Sequence, residues 1–87
     1  MGSEKFIELC KKLVADYAKE HLDKTDDTPA FDVFVVWYCK TLQNHKALLS
    51  TTLTDGMYYE LTFNGDKKEI YLDAYKKFEN RATSLGV

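Results

Sequence analysis

The side chains best suited to nucleophilic or metal chemistry near neutral pH are few here. The 87 residues hold two cysteines and two histidines. Cys10, Cys39, His21 and His45 show neither Cys-x-x-Cys nor His-x(3–5)-His spacing, so no structural zinc site is expected. A Cys–His nucleophile pair needs only to meet in space, so a small enzyme built around Cys39 or His45 stands as one alternative. Each cysteine sits in an apolar stretch, Cys10 between Leu9 and Leu13 and Cys39 after Trp37 and Tyr38. Both read as reduced, buried thiols. Two cysteines make no disulfide framework, which points to a reducing cytoplasm.

The acidic run DKTDDTPAFD at 23–32 invites a calcium reading through Asp23, Asp26 and Asp27. It lacks the alternating oxygen ligands, central Gly and terminal Glu of a calcium loop. It reads instead as an acidic connector whose Asp26 and Asp27 could steer a partner. The glycines at 2, 56, 65 and 86 are scattered, so no phosphate-cradling loop is present, and no G-x-S-x-G elbow occurs. The expectation is a protein without catalysis, metal or cofactor.

The elements that must position any site follow from periodicity. Residues 4–22 repeat apolar side chains at spacings of three and four: Phe6, Leu9, Cys10, Leu13, Tyr17 and Ala18. Lys5, Glu8, Lys12, Asp16 and Lys19 fall on the opposite side, and Ser3 suits the N-cap. Residues 33–43, rich in β-branched and aromatic side chains, read as a long strand. Asn44-His45 is expected to turn, 46–53 to form a second strand, Thr54-Asp55-Gly56 to turn again, and 57–63 to alternate as a third. Asn64-Gly65 signals another hairpin. Residues 68–72 are ambiguous between strand and helix; the preferred reading is a short fourth strand, then a helix from about Asp73. Tyr75, Phe78, Ala82 and Leu85 would line its buried side, with Gly86 as terminator. The expected fold is α+β: one domain spanning 1–87, with an N-terminal helix, an antiparallel meander of three to four strands and a C-terminal helix. Both helices would cover one sheet face.

Composition narrows the function classes. Twelve basic and 14 acidic residues give a net charge of −2, which offers duplex nucleic acid or an anionic membrane no electrostatic footprint. Lys67-Lys68 and Lys76-Lys77 are offset by neighbouring acids. No apolar run approaches a membrane span and no signal peptide opens the chain. The 12 aromatic residues are many for this length. If Trp37, Tyr59 and Phe63 face the helices, the other face presents Tyr38, Lys40, Tyr58, Glu60 and Tyr71 among hydroxyl side chains. Such a mixed aromatic and polar surface suits protein contacts. Its apolar strand also suits covering by a second copy as a homodimer.

The stretches EKFIELCKKLV, CKTLQNHKALLSTTL and DGMYYELTFNGDKKEIYLDAYKKFENR together resemble a family of small uncharacterised proteins encoded by phages and prophages of Gram-positive bacteria. That resemblance carries no assigned activity or site residues. It implies context: an accessory protein in the cytoplasm of the bacterial host, engaging a host or defence protein. The leading expectation is therefore a non-catalytic binding module. Its contacts would be Tyr38, Lys40, Tyr58, Glu60 and Tyr71, steered by Asp26 and Asp27. The alternative in a different class is a dimer that sequesters a nucleotide signal, stacking a base on Tyr38 or Tyr58 with Lys40 near a phosphate.

Overall fold

A computed structural model of the chain describes residues 1–22 and 30–86. Helix α1 runs Ser3–Glu20 and buries Phe6, Cys10, Val14 and Ala18. That four-residue spacing places one side chain per turn on a single stripe. Ile7, Leu13 and Tyr17 flank it, partly buried. The N-cap is Gly2, without a side-chain cap, rather than the expected Ser3. Ser3 is already helical, and its hydroxyl lies 3.0 Å from that of Tyr38. Glu4 in the first turn and Lys19 in the last complement the helix dipole. At the C-terminus the His21 ring stacks on Tyr17 and its Nδ1 donates to the Tyr17 carbonyl at 2.9 Å, satisfying an acceptor the helix leaves open.

Four strands follow as an antiparallel meander in chain order: β1 Val33–Thr41, β2 Asn44–Thr51, β3 Met57–Asn64 and β4 Glu69–Lys76. The first turn is Leu42-Gln43, two residues earlier than expected; Asn44 and His45 belong to β2, paired with Thr41 and Lys40. Leu42 takes the left-handed backbone that this tight reversal needs, at φ 56°. At the second turn Gly56 has φ 70°, and Asp55 Oδ1 accepts from the Met57 amide at 3.1 Å. At the third, Asn64 Oδ1 accepts from the amides of Asp66 and Lys67, the short-range turn chemistry that Asn favours.

The helix lies on one face of the sheet, mainly across β2 and also over β1 and β3. The core beneath it comprises Phe6, Cys10, Val14, Ala47, Leu49, Tyr59, Leu61 and Phe63. On β4, Ile70 and Leu72 pack partly buried against this core.

Three expectations are corrected. The strand at 68–72 exists and continues to Lys76, so the fourth strand displaces the start of the expected second helix. Residues 77–86 form neither helix nor strand and are exposed, with Phe78 at 91% and Leu85 at 83%. Among the described residues one helix, not two, covers the sheet. Second, Trp37 does not face the helix and Tyr38 does. A β-bulge lies between Val35 and Trp37: Val35 pairs with Leu49 and Trp37 with Leu48, leaving Val36 extra. One extra residue reverses the side taken by every residue after it. Third, Cys39, expected in the core, is exposed for the same reason.

Candidate contact surface

The face away from α1 is a grid of transverse rows, each running across all four strands on one side or the other of the β1 bulge. One transverse row is Phe34, Ser50, Tyr58 and Tyr75. The next is Trp37, Leu48, Glu60 and Asp73, and the third is Cys39, Lys46, Thr62 and Tyr71. Trp37 is 41%, Tyr71 45% and Tyr75 53% exposed. These are large aromatic side chains left in water on one surface, a feature that marks contact sites when it is contiguous.

The polar groups of this face are unevenly charged. Glu60 and Asp73 are direct cross-strand partners, an arrangement that like charges disfavour. Lys46 Nζ reaches Glu60 Oε1 at 3.3 Å from the other side. Being half exposed, that pair contributes little to stability, and Asp73 keeps no cation among the described ion pairs. Tyr71 donates its hydroxyl to Glu69 Oε2. That bond, with the adjacent carboxylate charge, holds the phenol above its ordinary pKa. Ser50 donates to the Met57 carbonyl at 2.8 Å, so its hydroxyl is spent within the sheet.

The expected contact residues separate into three groups. Tyr58, Glu60 and Tyr71 share the open face, as read from the alternation of β3 and β4. Tyr38 does not: it lies on the helix side, its ring 5.8 Å from that of Phe6. Lys40, two residues on, follows Tyr38 to that side at the strand's exposed end. Asp26 and Asp27 lie outside the described residues. Sequence reasoning set Phe34 on this face but missed Trp37 and Tyr75 as members of it. The first needed the bulge at Val36; the second needed β4 to run past Asp73.

Cys39 and His45 border a small hollow of about 200 Å³ at the hairpin end. Their functional atoms do not meet as a nucleophile and base. The thiol sits on the open face against Thr41 Oγ1 at 3.9 Å. The imidazole is buried on the helix side and stacks on Phe6 at 5.0 Å. Both its nitrogens are engaged, Nε2 with the Met1 carbonyl at 3.0 Å and Nδ1 with the Tyr38 hydroxyl at 2.5 Å. A second cavity of about 260 Å³ lies between the end of α1 and β3, lined by Tyr17, His21, Asp55, Met57, Tyr59 and Lys76 among others. Burial, then the charge of Asp55 and the neighbouring Tyr17, raise the Tyr59 phenol above its usual pKa. Among the described residues no group of three or more His, Cys, Asp or Glu is placed to hold a metal. No helix is long and apolar enough to cross a membrane.

The architecture defines a small α+β protein, a four-stranded meander that, among the described residues, a helix shields on one side. The chain belongs to a family of unknown function, DUF6275, whose model matches residues 7–85. No curated protein and no solved structure matches it.

Proposed function

We propose that this chain is a non-catalytic binding protein that engages a protein partner through its open sheet face. The observation that carries this reading is the exposure of Trp37, Tyr71 and Tyr75 on one surface around the Glu60–Asp73 carboxylate pair. Aromatic anchors with a charged neighbour are the side chains that concentrate binding energy at protein interfaces. The partner surface this face fits is apolar at its centre and carries a cation opposite Asp73. The resemblance to phage and prophage proteins supplies the setting: an accessory protein inside the bacterial cell, acting on a host or defence protein. A nucleotide-sequestering dimer is less well supported, because Tyr38 and Lys40 lie off this face and Tyr58 is neighboured by carboxylates that repel phosphate.

Affinity capture from host lysates, followed by titration of the recovered partner, tests the reading. Tyr58→Ala is expected to weaken the complex by at least ~1 kcal/mol with an unchanged melting temperature. Tyr38→Phe, on the other side of the sheet, is expected to leave binding intact. Failure to retain a partner across several hosts, or retention indifferent to Tyr58→Ala and Trp37→Ala, would overturn it.

A further inference from the structure

Among the described residues nothing covers the open face, and one described segment of the same chain covers nothing. Residues 77–86 follow β4 directly, and their main tie to the sheet is the Lys77 amide donating to the Gly56 carbonyl at 2.7 Å. Phe78 and Leu85 are almost wholly in water. Wound as a helix at ~100° per residue, the segment places Leu85, Phe78 and Ala82 on one contiguous stripe. Arg81 borders that stripe, Lys77 and Glu79 lie farther round on opposite sides of it, and Arg81 pairs with Glu79 at 2.6 Å. The segment thus pairs an apolar ridge with a small net positive charge, two basic residues against one acid. The open face pairs exposed Phe34, Trp37 and Tyr75 with Glu60, Asp73 and Glu69, against the single cation Lys46 among its described residues.

We infer that the C-terminal segment of one copy docks as a helix on the open sheet face of a second copy, giving a symmetric dimer that exchanges tails. The inference rests on the reading of that face as a contact surface and names one of its occupants. Apolar ridge meets aromatic grid, and the net positive tail meets the unbalanced carboxylates, Arg81 exchanging Glu79 for Asp73. Four strands at ~4.8 Å and six residues at ~3.4 Å make a face of roughly 400 Å². A ten-residue helix ~15 Å long and ~10 Å across covers roughly 150 Å² of that face, so with its own tail each copy buries roughly 300 Å², the size of a weak dimer rather than a permanent one. Because like patches meet like patches across a two-fold axis, the assembly closes at two copies. Folding the tail only on docking gives the helical periodicity of 77–85 its role. A protein partner taken up through the same face displaces the tail.

Trp37 is the only tryptophan and lies on the face to be covered, so the chain carries its own reporter. Sedimentation equilibrium, Trp emission and far-UV circular dichroism are followed on the full chain from about 1 µM to about 1 mM. Mass doubling, a blue shift and a gain in helix are expected at one common midpoint. Phe78→Ser/Leu85→Ser, both at exposed positions, should move that midpoint up at least about tenfold. Arg81→Glu and Asp73→Lys should each weaken the dimer, and together should recover part of the loss. A monomer at every concentration overturns the inference. So does a dimer indifferent to the tail variants, or a tail-dependent blue shift at monomer mass, which would assign the tail to its own sheet. Capture of a host partner without a dimer overturns this inference alone; a dimer without any captured partner overturns only the proposed function.

Discussion

The Tyr38 hydroxyl stands 2.5 Å from His45 Nδ1, joining β1 to β2 on the helix side of the sheet. The proton arrangement follows from the other nitrogen. His45 Nε2 is 3.0 Å from the Met1 carbonyl, and a carbonyl only accepts. Nε2 therefore carries a hydrogen, and in the neutral ring Nδ1 accepts from Tyr38. Ser3 Oγ, 3.0 Å from the same phenolic oxygen, completes the cluster. These contacts hold the start of α1 against the β1–β2 hairpin.

Tyr38→Phe removes the donor and leaves a buried imidazole nitrogen without a partner. The expected loss is about 1–3 kcal/mol of stability, measured by urea denaturation. A variant as stable as the parent would show that the cluster does not hold the helix in place.

The two cysteines are expected to differ sharply in reactivity. Cys39 is exposed, whereas Cys10 is fully buried and desolvation pushes its thiol up from 9.0 to about 12. The thiolate is the reactive form. In dilute neutral solution an alkylating reagent should modify one thiol per chain, at Cys39, and both only after unfolding. Mass spectrometry of the labelled peptides reads the result directly; modification of native Cys10 would contradict the buried position.

Alkaline pH should unfold the protein, and the sign follows from the same group. The unfolded Cys10 ionises near 9.0 while the folded thiol holds its proton to about 12. Its contribution is therefore complete below pH 9 and is lost as pH rises toward 12. The slope approaches about 1.4 kcal/mol per pH unit in that window. Tyr59, whose phenol is also raised, adds to the decline above pH 10. Cys10→Ala should flatten the curve between pH 9 and 10, as followed by denaturation at stepped pH.

Gly65→Ala should destabilise by roughly 1–3 kcal/mol. A methyl group there would lie 2.5 Å from the Gln43 carbonyl oxygen and 2.7 Å from its side chain. The contact matters because two turns meet at this end. The Gly65 amide donates to Asn44 Oδ1 at 2.9 Å, and Gln43 Nε2 donates to Asp66 Oδ1 at 2.6 Å. A melting temperature unchanged in Gly65→Ala would mean that the turns can part without cost.

Where local chemistry decides, the sequence was readable. The stripe on α1, the turn at Asp55-Gly56 and the alternation of Tyr58, Glu60 and Thr62 against Tyr59, Leu61 and Phe63 all reappear in place. What failed was counting by twos through Val36. The bulge leaves Val33 and Val35 on the helix side but sends Trp37 outward and Tyr38 inward. Nothing in VFVVWYCKT distinguishes that path from a straight strand, since both sides of the segment are apolar. The tail failed for a different reason. Tyr75, Phe78 and Leu85 have helical spacing, but a helix this short needs something to pack on, and β4 had already claimed the segment up to Lys76.

The order of the strands bears on how the molecule assembles. Each strand bonds only to its neighbours in the chain, and the hairpin loops are short, so the sheet can zip together one reversal at a time with small entropic cost. The helix is different. It precedes the sheet in the chain, yet the strand it mainly rests on, β2, lies more than twenty residues downstream. Its apolar stripe must wait in solvent until that surface exists. Burial of the α1 stripe therefore depends on the meander that supplies the surface beneath it.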